Sequence, residues 1–89
     1  MTKTQFKKIA ASGREQSKTY MAVKIITEGN PAPEIIVNTE ENFDAKLAYY
    51  AQAYDDDLEL ISAKKAGKSI KISDVLMTNN LNDLNWFIY

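Results

Sequence analysis

Six large apolar residues, Phe43, Leu47, Tyr50, Tyr54, Leu58 and Ile61, recur at steps of four, three, four, four and three. That rhythm is one face of an α-helix sustained for about five turns. The flanking residues agree with it. Asn38 or Thr39 stands where a cap belongs, and Glu41 follows Asn38 at capping-box spacing. Glu40, Glu41 and Asp44 crowd acids into the first turn, Lys64 and Lys65 place bases in the last, and Gly67 supplies a stop. Unbroken from Glu40 to Ala66, such a helix would be about 40 Å long. A domain of this size has a radius of gyration of about 12 Å. The helix must therefore bend or break near Asp55-Asp56-Asp57, or protrude, and its apolar face needs a partner layer.

The residues before it provide one. Met21, Val23 and Ile25 alternate with Tyr20, Ala22, Lys24 and Ile26, which predicts a strand over Thr19–Thr27. Glu28-Gly29-Asn30-Pro31-Ala32-Pro33 then interrupts the chain, because proline cannot donate to a ladder and Gly29 or Asn30 can take positive φ. A second strand follows over Glu34–Asn38, and the two pair most simply as an antiparallel hairpin. Upstream, Phe6, Ile9 and Ala10 share a face of a short helix over Lys3–Ala11, capped by Thr2 or Thr4 and ended by Gly13. Downstream, Ser69–Ile72 predicts a short third strand, and Ser73 a cap for a helical turn through Met77. Thr78–Asn80 reads as a turn. The last stretch, with Leu81, Leu84, Trp86, Phe87, Ile88 and Tyr89, fits helix or strand and is expected to dock into the core.

The expected fold is thus a single α+β domain over 1–89: a short N-terminal helix, an antiparallel hairpin, a long amphipathic helix packed on it, a short third strand or turn and a hydrophobic C-terminal segment. Its 89 residues suffice for one modest core, and 45% hydrophobic content with three glycines and two prolines favours order. No apolar run of about 18 residues predicts a membrane span, and only Ile9 to Ala11 follows the early lysines where a signal peptide needs a longer apolar stretch. The reading is a small soluble cytoplasmic protein.

Without cysteine or histidine, thiolate and imidazole ligands, nucleophiles and bases are excluded. Ala66-Gly67-Lys68-Ser69 looks like the end of a phosphate-binding loop, but Ser62 stands where its first glycine belongs. Ser62 and Lys65 have the spacing of a lysine-activated serine without the accompanying motifs. Asp55, Asp57 and Glu59 alternate like a calcium loop that lacks its glycine and final glutamate. Neither catalysis, a metal nor a cofactor is expected.

Charge points to a partner instead. Residues 1–24 hold six bases against Glu15, for +5, and residues 28–59 hold nine acids against Lys46, for −8. Such segregation concerns association rather than fold. The expectation is a non-catalytic protein-binding domain, an adaptor or inhibitor of a basic protein, nucleic-acid-binding proteins among them, acting through an acidic helix surface. Its contact residues are Glu41, Asp44, Tyr49, Gln52, Asp55, Asp56, Asp57 and Glu59, with Tyr49 lying off the core stripe. One alternative is nucleic-acid binding by Lys3, Lys7, Lys8, Arg14 and Lys18. Another is a homodimer or other structural homo-oligomer in which the basic arm meets the acidic middle. Size and split charge also suit a phage accessory protein.

Overall fold

The computed structural model describes residues 1–88. It has the expected α+β layout. Helix α1 (Lys3–Glu15) precedes strands β1 (Tyr20–Thr27) and β2 (Glu34–Thr39), and helix α2 (Phe43–Ala53) follows. A short helix α3 (Ile61–Lys65), strand β3 (Ile70–Thr78) and a terminal helix α4 (Leu84–Phe87) complete the chain. The three strands form an antiparallel sheet in the order β2-β1-β3. Among the described residues no helix is long and apolar enough to cross a membrane.

Strand β1 is central because its sequence tolerates burial on both faces. Met21, Val23 and Ile25 turn to one side and Ala22 to the other, and all four are buried. On the first side, helices α1 and α2 cover the sheet. They run antiparallel: the Lys3 end of α1 lies at the Ala51 end of α2, and Arg14 meets Asp44 at the opposite end. Phe6 packs edge-on against Tyr50 between them, with centroids 5.7 Å apart. Phe43, Tyr54, Leu58 and Ile72 close this core.

Helix α1 is longer than predicted. The Thr2–Gln5 capping box starts it as expected. Gly13, however, lies inside the helix, where a Cβ would stand 2.4 Å from Cβ and Cγ of Met77. Glycine there lets α1 approach β3 closely rather than ending the helix.

The predicted 40–66 helix breaks. Its Asn38/Thr39 capping box does not form, because Asn38 is a buried residue of β2 and Thr39 makes no side-chain cap bond. A 3₁₀ turn over Glu40–Asn42 leads into α2, which ends at Ala53. Tyr54 is then extended, and Asp55 Oδ1 accepts the N–H groups of Asp57 at 2.9 Å and Glu59 at 3.0 Å. Aspartate competes with the helix by bonding the backbone two residues on, and three in succession favour the turn. Leu58 takes a positive φ of 62° and is buried. Residues Leu58–Leu60 then run along the outer edge of β3: the Leu60 N–H donates to Ile70 at 2.8 Å, and the Ile72 N–H to Leu58 at 3.0 Å.

The predicted helical turn at Ser73–Met77 is strand instead. β3 continues to Thr78 because the free side of β1 supplies a full ladder, interrupted by one irregularity between Lys24 and Ile25. The C-terminal segment is helical and docks on the second sheet face. Phe87 is buried; Lys24 Nζ donates to its carbonyl at 3.1 Å and sits 5.7 Å from its ring centroid. Within the expected docking segment Phe87 is buried and Leu84 half-buried. Trp86 and Ile88 stay exposed, and Tyr89 lies outside the described residues.

Candidate interaction surface

The predicted contact residues do not share one helix surface. Asp44 pairs with Arg14 of α1. Asp55 is occupied in its turn and pairs with Lys64 at 3.1 Å, and Glu59 lies 3.7 Å from the same lysine. The carboxyl of Asp55 is held below the usual carboxylate range, chiefly by the Glu59 N–H, with the Lys64 and Asp57 contacts adding to that. Lys64 is correspondingly raised, first by its hydrogen bond to Asp55. Each of these three acids thus has a cation beside it within the chain. Asp56 and Asp57 are exposed in the turn, and the Asp56 carbonyl accepts the Lys3 N–H at 2.9 Å.

The basic segment is divided in the same way. Lys3 Nζ donates to the Ala51 carbonyl at 2.8 Å, where cationic charge suits the end of α2. Arg14 is taken by Asp44, while Lys7 and Lys8 border separate depressions on the two sides of α1. Lys18 lies beside a third depression shared with Arg14 and Glu40. Among the described residues one ion pair, Arg14–Asp44, joins the basic segment to the acidic middle. Phe6, Ala10, Leu47 and Tyr50 floor an apolar groove between α1 and α2, bordered by Lys3, Lys7 and Arg14.

Glu41, Tyr49 and Gln52 remain exposed. Tyr49 is 50% exposed, yet its ring makes edge contacts with Tyr50 at 5.4 Å and Tyr54 at 6.4 Å, and Lys46 Nζ stands 6.0 Å from its centroid. Burial raises the hydroxyls of Tyr50 and Tyr54, the latter to about 12; the neighbouring tyrosines and Glu34 act in the same direction. Asn38, hydrogen-bonded to the Tyr50 hydroxyl, offsets part of the rise there. Glu34 therefore lies near the tyrosine cluster, at the start of β2.

Sequence pattern did not single out β2 itself. Its inner edge pairs with β1 in a regular register from Glu34 to Thr39. Among the described residues no other strand pairs with it. Val37 is 40% exposed and Ile35 is half-buried on the face away from the helices. Glu34 opens the strand, Glu40 and Glu41 follow it, and none of the three has an ion-pair partner among the described residues. The surface legible in structure is thus an uncovered strand edge between acidic ends, with a held tyrosine on the adjoining helix.

Among the described residues, every buried side-chain nitrogen and oxygen has a hydrogen-bond partner. No group of three or more acids in the described residues converges as a metal site would require. Compared with protein-family models, curated proteins and solved structures, the chain has no match in any of the three.

Proposed function

We propose that this chain is a non-catalytic protein-binding domain, an adaptor or inhibitor that takes a basic partner on the side formed by β2 and α2. The observation that carries this reading is Tyr49, half exposed but braced by Tyr50 and Tyr54. A large aromatic side chain already fixed by its neighbours loses little conformational entropy on contact and offers both apolar area and a polar tip. Glu34 at one end of β2, and Glu40 and Glu41 at the other, supply negative charge that no internal cation takes up among the described residues. Asp44, Asp55 and Glu59 each have a cation beside them within the chain and are not part of the proposed contact.

Affinity capture with the wild type, Tyr49→Ala and Glu34→Lys/Glu41→Lys tests this reading. A basic protein should be retained stoichiometrically by the wild type. Its Kd should rise about tenfold or more with Tyr49→Ala, the loss expected at a central aromatic contact. Unchanged retention by both variants overturns the assignment. So does salt-sensitive binding to heparin and duplex DNA that Lys7→Glu/Lys8→Glu abolishes.

A further inference from the structure

We infer that the basic partner binds as an extended segment, adding a fourth strand to the outer edge of β2. This rests on the protein-binding reading above and specifies how the partner is held.

The fold treats its two sheet edges differently. The start of β3 is covered by Leu58–Leu60 through two backbone hydrogen bonds, and Gly13 of α1 lies against Met77 near its end. Among the described residues β2 has no such cover, so its outward N–H and C=O groups form a template for another strand. Nothing within the strand obstructs pairing. Glu34 to Thr39 contains no proline, lysine or register shift, and Pro31 and Pro33 lie before it. Side chains alternate across the edge: Ile35 and Val37 turn to one face and Ile36 to the other, beneath α2. An added strand would find aliphatic contact on both faces along about 20 Å of edge.

Charge selects the occupant. A second copy paired antiparallel along the whole of β2 would carry Glu34 of each chain to the Glu40–Glu41 end of the other. Like charges brought together across paired strands are destabilising, and symmetry imposes the contact twice. The same acids attract a strand that alternates aliphatic residues with lysine or arginine. The edge therefore disfavours its own copy and favours a basic segment.

The probe is a blocked ten-residue peptide alternating lysine with valine, compared with a version N-methylated on alternate backbone amides and with a glutamate–valine version. Titration calorimetry and hydrogen exchange on the intact protein provide the readouts. The lysine peptide should bind and slow exchange of β2 amides, N-methylation should weaken it at least tenfold, and Glu34→Lys/Glu41→Lys should transfer preference to the glutamate peptide. Equal affinity for the N-methylated peptide, or binding without protection of β2, overturns strand addition while leaving a basic partner in place. No peptide binding alongside Tyr49-dependent capture of a basic protein also overturns it. A concentration-dependent dimer with protected β2 amides identifies a second copy as the occupant and refutes the charge argument. Failure of both the peptides and Tyr49-dependent capture refutes this inference and the reading beneath it.

Discussion

Gly13→Ala separates the close approach of α1 and β3 from an ordinary helical glycine. At an unconstrained helix position the substitution should stabilise the protein by about 1 kcal/mol, since alanine loses less backbone entropy. Here the new methyl would stand 2.4 Å from both Cβ and Cγ of Met77, where ordinary contact begins at 3.4 Å. A rotamer change could move Cγ but not Cβ, so α1 must retreat by about 1 Å and loosen its contact with β3. Overpacking of this kind costs about 1–3 kcal/mol, and a clash anchored on Cβ belongs near the upper end. Set against the helical gain, the net loss is about 2 kcal/mol. For a domain of this size that lowers Tm by about 8–16 °C. Urea and thermal unfolding followed by far-ultraviolet circular dichroism measure it. Met77→Ala should fail to rescue the variant because it leaves Cβ in place. Stabilisation by Gly13→Ala, or full rescue by Met77→Ala, would refute the close packing.

Other perturbations test the break, the tail and the tyrosine cluster. Asp55 is held below its ordinary value in the folded chain, so the unfolded state binds its proton more readily. Its contribution should be complete above the ordinary carboxylate pKa of about 4 and drain away as pH falls through the lower folded value. Asp55→Asn should lose that part of the acid slope in urea titrations across this range. Phe87→Ala removes a buried ring and should cost about 3–5 kcal/mol, whereas Trp86→Ala on the exposed neighbour should stay within about 0.5 kcal/mol. Tyr54, raised to about 12, keeps its proton in the folded chain while unfolded tyrosines ionise near their ordinary value of about 10, so rising pH favours the unfolded state across that window. Its stabilising effect is retained below the ordinary value and is lost as pH rises through the folded one. Phenolate absorbance should therefore include a late step that Tyr54→Phe removes.

Side-chain facing was more legible than backbone. Phe43, Tyr50, Tyr54 and Leu58 are buried as the periodicity predicts, although the helix ends after Ala53. The stripe records which residues meet the core, and an extended Tyr54 with a left-handed Leu58 meets that demand without continuing the helix. The signal for the break was present in three consecutive aspartates, but helix and Asx turn both suit their surroundings. Ser73–Met77 was misread because a serine cap is a local cue, whereas the ladder that overrides it comes from β1, far away in sequence. The contact residues were harder still. Charge at Asp44 or Glu59 is plain in the sequence, but that Arg14 and Lys64 lie beside them is known only from the fold. The open edge of β2 follows from strand order, a non-local property with no counterpart in composition.

That strand order also dictates when the domain can become stable. β1 and β2 are joined by a short connection and can pair early, but the other side of β1 waits for a strand whose last residue, Thr78, pairs with Tyr20. The Met77 side chain that packs against Gly13 of α1 arrives with the same strand. During synthesis the first helix and central strand must therefore pass through an interval without their final neighbours. Loop closure over such separations slows folding and leaves apolar strand surface open to misassociation. A late-arriving third strand makes the early chain vulnerable in time, and chaperone dependence should track how quickly residues 70–78 are delivered.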